Sequence, residues 1–226
     1  HQAETCCRRA LEIEPRYANA HVNLGNTLLM QDRLSEAQTC YRAALTITPA
    51  AANIHSNLLY CLSHDVTIEP PQLFAEHVAF GEQFEAPLRA GWQAHNNDKD
   101  PTRCLQVGFV SGDLCNHAVA SFLEPVLEFL AQKPTLSLHA YYTYTLEDAV
   151  TQRLRAYFPH WHSVTSLSDA ELAHKICADG IDILIDLSGH TAHNRLLAFA
   201  RKPAPIQASW MGYPGTTGLQ AMDYHL

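Results

Sequence analysis

The chain has 226 residues, 47% of them hydrophobic, and a formal net charge of −8. That length suits one large domain or two small ones, and the acidic balance argues against a general nucleic-acid binder. No run of 18 apolar residues predicts a membrane span, and the N-terminus lacks a charged-then-apolar signal pattern.

The first 63 residues read as helices. Residues 1–14 open in mid-helix, as though cut from something longer. Leu24, Gly25, Ala37, Tyr41, Ala44 and Pro49 occupy the Leu, Gly, Ala, aromatic, Ala and Pro slots of a tetratricopeptide repeat. Pro15 lies 34 residues before Pro49, and Ala3 and Ala10 fill matching slots of a preceding, partial repeat. The small residues belong where the paired helices approach, Tyr41 fills the groove beside them, and Pro49 ends the second helix for want of an N–H. A third first-type helix is predicted over 53–63, with Leu58, Leu59 and Leu62 on its apolar face. Repeats of this type stack into a superhelix whose concave face binds extended peptide.

Residues 64–100 read as a helical connection. Pro70-Pro71 starts a helix whose stripe includes Leu73, Phe74, His77, Val78, Phe80 and Phe84. The polar stretch 93–102 is the expected domain boundary.

From residue 101 the pattern changes. Strands are predicted over 105–110, 136–144, 161–164, 181–187 and 206–210. Helices are predicted between them over 118–131, 146–157, from Ser168 to the Asp179-Gly180 end, and over 194–200. Ser168 and Glu171 stand in capping-box spacing, and Gly180 suits a left-handed helix end. Five alternations with short links predict a doubly wound parallel sheet, whose ligands bind outside the carboxyl ends of the strands.

Three loops fall at those ends. The first, SGDLCNHAVASF, gathers Asp113, Asn116 and His117 at a strand end and helix start, where backbone N–H groups favour a phosphate. Asp113 and Asn116 have the alternative of simply capping that helix. The second, LSGHTAHNR, offers Gly189 for close backbone approach, with His190, Thr191 and His193 as polar contacts. Arg195 is either a phosphate contact or a salt-bridge partner. The third, WMGYPGTTG, has three glycines and a proline in nine residues. It is shaped either to bring N–H groups to a ligand or as a purely structural turn. No GxGxxG, Walker A, Ser-His-Asp or zinc motif occurs. The seven cysteines have no CxxC spacing and are expected reduced. The fourteen histidines form no helical HxxxH set, so no metal is expected.

These repeats, together with VGFVSGDLCNH, DGIDILIDLSGHT and RKPAPIQASWMGYPGTTGLQAMDY, resemble the O-linked N-acetylglucosamine transferase family in its bacterial SPINDLY-like branch. The resemblance covers essentially the whole chain. It implies an inverting, metal-independent GT-B glycosyltransferase that moves N-acetylglucosamine from UDP-GlcNAc to Ser or Thr of proteins, with the repeats guiding acceptors. It implies no cofactor beyond the UDP-sugar donor, no nucleic-acid or membrane partner, and a cytoplasmic location. This chain is expected to hold the N-terminal Rossmann-like half of the catalytic region, and alone to bind UDP-sugar weakly and transfer nothing.

By the same resemblance His117 matches the active-site histidine beside the donor sugar and phosphate. Asp113 matches an aspartate of a proton relay, and Asn116 the asparagine preceding the histidine. His55 matches a histidine of the last repeat helix that faces the active site, with packing in a repeat slot as its alternative. Met211, Gly212, Tyr213 and Pro214 match the loop against the sugar, and Thr191 a polar loop residue. The sequence departs at Ala118-Val119, where animal members have Pro-Thr, and at His190 and Ala192, where they have Tyr and Lys. A base, Asp113 or a donor phosphate oxygen, need contribute only about 10²–10⁴-fold. Two other readings stand beside this one: a cytoplasmic protein N-glucosyltransferase, and a peptide-binding repeat module with an inert α/β half.

Overall fold

The computed structural model describes residues 2–226, so His1, the expected first residue of the opening helix, lies outside them. The described residues form two compact units, 2–80 and 81–226.

The first unit is built of α1 (Gln2–Ile13), α2 (Ala18–Leu29), α3 (Leu34–Ile47), α4 (Ala52–Ser63) and most of α5 (Pro70–Phe84). Each of the first four helices packs on its neighbour in sequence. The reason is visible at Gly25: a Cβ there would stand 2.7 Å from Cε1 of Tyr41. Tyr41 is fully buried, as are Ala37 and Ala44, and its hydroxyl donates to Asn26 Oδ1 at 2.8 Å. The repeat's small and aromatic slots are therefore one contact seen from both sides. Gly25→Ala is expected to lower stability by about 1–3 kcal/mol in urea unfolding, because the ring has little room to retreat. On the unit's surface Arg33 ties Glu4 at 2.8 Å to Glu36 at 2.7 Å, and the flanking guanidinium groups of Arg8 and Arg33 hold the Glu4 carboxyl down at about 2.

The second unit is a six-stranded, wholly parallel sheet. Its strands are β1 (Leu105–Ser111), β2 (Leu136–Tyr142), β3 (His160–Ser163), β4 (Ile183–Asp186), β5 (Ile206–Ser209) and β6 (Tyr224–His225), in the order β3-β2-β1-β4-β5-β6. The connections carry α6 (Ala118–Leu130), α7 (Ala149–Arg155), α8 (Asp169–Ala178) and α9 (Leu196–Phe199). Val107, Phe109, Leu138, Ala140 and Tyr142 turn to one face, where they meet Leu123 and Leu127 of α6 and Leu154 of α7. Tyr141 points to the other face and its hydroxyl donates to Asp179 at the end of α8. Helices on both faces make the doubly wound architecture expected from the alternation. Ser168 and Glu171 form their capping box, and Gly180 takes φ +66°.

The strand expected over 181–187 covers only Ile183–Asp186 and the helix expected over 194–200 only Leu196–Phe199; three further differences have visible causes. The helix expected over 146–157 starts only at Ala149, because Asp148 and Thr151 form a capping box that fixes its first turn. The strand expected over 136–144 stops at Tyr142; Thr143 and Tyr144 turn instead toward His193, by a hydroxyl bond of 2.8 Å to its carbonyl and a ring stack of 4.1 Å. A sixth strand forms where none is expected, held by Asp223 N to Gln207 O at 2.8 Å and Leu226 N to Ser209 O at 3.0 Å.

Residues 81–103 pack along this unit. Glu85 is fully buried, and its carboxylate accepts from the backbone N–H of Gln220 and Ala221 at 2.9 and 2.7 Å. Trp92 donates to Ala200 O at 2.8 Å, and Arg103 and Asn97 hold Asp182 in the turn before β4. Arg89 Nη2 stands 3.0 Å from Glu85 Oε2, so a guanidinium and two backbone donors replace the water that burial removes.

Candidate active site

The winding of the sheet reverses between β1 and β4. A crevice is expected beyond the carboxyl ends of these strands, and the predicted loops meet there. Beyond β1, a Cβ on Gly112 would lie 2.6 Å from the Cβ of His193, so the first and second loops touch. Beyond β4 and β5, a Cβ on Gly189 would lie 2.2 Å from Cβ of Tyr213, and one on Gly212 only 1.7 Å from the carbonyl oxygen of Leu187. The second and third loops are thus in direct backbone contact. Gly189 has φ +54°, a left-handed conformation that glycine adopts without penalty, while Met211 holds φ +51° with a full side chain. His190 is buried, its Nε2 donates to Thr217 O at 3.0 Å, and its ring meets Tyr213 edge-on at 5.3 Å. Thr191 donates to Ser188 O at 2.8 Å. Tyr213 is buried and braces the loop, whereas Pro214 is exposed.

At the start of α6 the capping group is His117 itself. Its Nδ1 accepts from Val119 N at 3.2 Å, which places the ring proton on Nε2, and half of its side chain stays exposed. Neither Asp113 nor Asn116 caps this helix, the alternative the sequence left open. The backbone N–H of Asp113 donates to Ser111 Oγ at 2.9 Å, and that of Asn116 to Asp148 Oδ2 at 2.7 Å. One Asp113 oxygen lies 3.8 Å from His117 Nδ1. Burial pushes the Asp113 carboxyl above its ordinary range, against the pull of His117 and His193, which makes it a better proton acceptor near neutrality.

A residue without a motif to announce it lies beneath these loops. Asp186, the last residue of β4, is fully buried. Its carboxylate accepts from Ser188 N at 3.1 Å, Gly189 N at 2.9 Å and Ser209 Oγ at 3.1 Å, so one side chain orients the second loop and ties it to β5. The available signal was an acidic residue inside the apolar run IDILIDL. Burial raises its pKa to about 6. The folded carboxyl therefore keeps its proton to about pH 6, the unfolded one only to about 3.8, and the associated stability is lost as pH rises through 6. The wild-type protein is expected to lose about 1 kcal/mol relative to Asp186→Asn between pH 5 and pH 7. Urea unfolding at the two pH values measures it.

Arg195 resolves to its structural reading: it pairs with Asp169 at 2.6 Å and donates to Val164 O and Leu167 O. His55 lies in the first unit, buried in α4, with its ring edge-on to Phe80 at 5.4 Å. The second unit's large cavity, about 870 Å³, is lined by residues that precede β1, β4 and β5, among them Asn97, Arg103, Ile181 and Lys202. It opens at the amino ends of the strands, opposite the three loops.

No helix among the described residues is long and apolar enough to cross a membrane. Residues 47–226 match the model of glycosyl transferase family 41, and residues 6–39 a tetratricopeptide repeat model. The "Probable UDP-N-acetylglucosamine--peptide N-acetylglucosaminyltransferase SPINDLY" of Arabidopsis thaliana is 34% identical over 162 residues, 69% of this chain and 17% of that relative. The SEC protein of the same plant, with the same enzyme name, is 35% identical over 121 residues, 53% of this chain and 12% of its own. A solved Thermobaculum terrenum O-GlcNAc transferase mutant, K341M, superposes with a TM-score of 0.91 at 38% identity, covering 99% of this chain and 42% of that one. The chain thus spans about a sixth of the first plant relative's length.

Proposed function

Because the chain belongs to glycosyl transferase family 41, we propose that it contributes its three-loop rim to a protein O-GlcNAc transferase, one that moves N-acetylglucosamine from UDP-GlcNAc to Ser or Thr hydroxyls. The observation that carries this reading is loop contact at the β1/β4 switch point: Gly112, in the loop that leads to His117, against His193, and Gly189 and Gly212 against Tyr213 and Leu187.

An inverting transfer needs the acceptor hydroxyl in line behind the sugar's C1, and charge stabilised on the departing diphosphate. His117 has its Nε2–H free of the cap it makes with Nδ1, so it donates toward the donor's sugar or phosphate. The start of α6 adds its dipole to that stabilisation. Asp113, with its raised affinity for protons, or a donor phosphate oxygen takes the acceptor's proton. Met211 and Gly212 shape the backbone against the sugar, with Tyr213 bracing them from beneath. Asn116 and Thr191 border the same rim. On this reading the enzyme works without a metal or a cofactor, in the cytoplasm, and the repeats of residues 1–63 bind extended segments of acceptor proteins.

The test is transfer from UDP-GlcNAc to an acceptor protein by a polypeptide of the relatives' full length, read by mass spectrometry. Attachment of an N-acetylhexosamine to Ser or Thr supports the reading. A hexose on Asn, or no transfer, contradicts it.

A further inference from the structure

On the α8 face of the sheet, away from the three loops, the edge strand β3 lies beside β2 with His160 opposite His139 and His162 opposite Tyr141. The HxH spacing of β3 sends both imidazoles to the same face, so the rings stack: His139 on His160 at 4.2 Å and Tyr141 on His162 at 5.1 Å. His139 is only 5% exposed. Its Nε2 lies 2.9 Å from Gln106 Oε1, and a carbonyl oxygen can only accept, so that nitrogen carries the ring proton. Nδ1 is then a lone pair, enclosed and without a hydrogen-bond partner. His162 Nε2 is likewise enclosed with no hydrogen bond, 3.7 Å from Asp179 Oδ2. One ligating atom from each of His139, His162 and Asp179 lies within 4.8 Å of the others.

We propose that His139, His162 and Asp179 form a binding site for a divalent transition-metal ion of the zinc class. Two imidazole nitrogens and a carboxylate oxygen are a ligand set that such ions accept, with water in the remaining position. The surrounding groups suit it. The Gln106 bond fixes the His139 tautomer, and the Tyr141 hydroxyl, 2.7 Å from Asp179 Oδ2, orients the carboxylate. Lys175, 3.0 Å from Asp179 Oδ2, supplies the counter-charge now. The ion takes over that role while Lys175, about a third exposed, turns to solvent. The bound ion joins the edge strand to β2 and to the end of α8. It is a structural site, separate from sugar transfer, and its test does not depend on the proposed activity.

Cobalt(II) titrated into the chain reports ligation through its visible absorption, and zinc is scored by the shift in melting temperature. The expected result is saturable uptake of one ion with a rise in melting temperature. His162→Gln and Asp179→Asn should weaken it at least about tenfold. His160→Gln, which removes a stacked ring outside the ligand set, should leave it unchanged, and Lys175→Met should tighten it by removing the competing cation. Uptake by the wild type no stronger than by His162→Gln, or equal loss in His160→Gln, overturns the proposal. Circular dichroism of each variant separates lost ligation from lost folding.

Discussion

Replacing His117 by alanine is expected to cut transfer by about 10²–10⁴-fold in a polypeptide of the relatives' length, measured as initial rate from UDP-GlcNAc. The same change removes the cap of α6, worth about 0.5–2 kcal/mol, so the alanine variant alone confounds two effects. Asparagine separates them. It is a strong capping residue, and His117→Asn should return most of the lost stability while leaving transfer as low as in His117→Ala. Recovery of activity together with stability would show that the imidazole serves only the helix.

The second large effect belongs to Gly212. An added methyl group there would stand 1.7 Å from Leu187 O, 2.4 Å from its carbonyl carbon and 2.9 Å from Ser188 Cα. All three are backbone atoms of the neighbouring loop, so relief requires the two loops to separate. Gly212→Ala is expected to cost about 3 kcal/mol or more in urea unfolding. Gly180→Ala is the matched comparison. Gly180 has φ +66°, but a methyl group added there would meet nothing within 4 Å, so only the left-handed backbone is penalised. That penalty is about 1–2 kcal/mol. Equal losses in the two variants would mean that the loops after β4 and β5 are not locked together.

Much of this was legible because some residue choices describe a contact directly. Gly25 and Tyr41 are spaced as a repeat requires and meet as a repeat requires. The alternation of apolar runs with helical stripes named the parallel sheet, since a parallel strand needs a crossover before its neighbour. The glycines of LSGHTAHNR and WMGYPGTTG marked loops of close approach, and Gly189 and Gly212 are where those loops touch. What escaped depends on partners far along the chain. β6 has two residues and no apolar run, so it forms only because β5 offers it an edge. Glu85 reads as an ordinary polar helix end until Gln220 and Ala221 come to it. Asp186 looks like an interruption of a buried strand, and its three donors lie in two different segments. Helix α7 is shorter than propensity predicts because the Asp148–Thr151 capping box sets its start, while the Leu146 carbonyl before it is taken by the Tyr142 hydroxyl. At α6, Asp113 and Asn116 are the residue types that usually cap, yet the histidine does so because Ser111 and Asp148 already hold the two preceding turns.

The chain, isotope-labelled and titrated with UDP-GlcNAc while its backbone amide resonances are followed, offers the most direct measurement, since such spectra register even millimolar binding. Residues 112–119, 188–193 and 211–218 should shift together along one saturation curve, and His117→Ala should weaken that curve. An unmoved rim, with shifts gathered instead around residues 93–98 and 201–203 at the opposite end of the sheet, would contradict the assignment of the donor site.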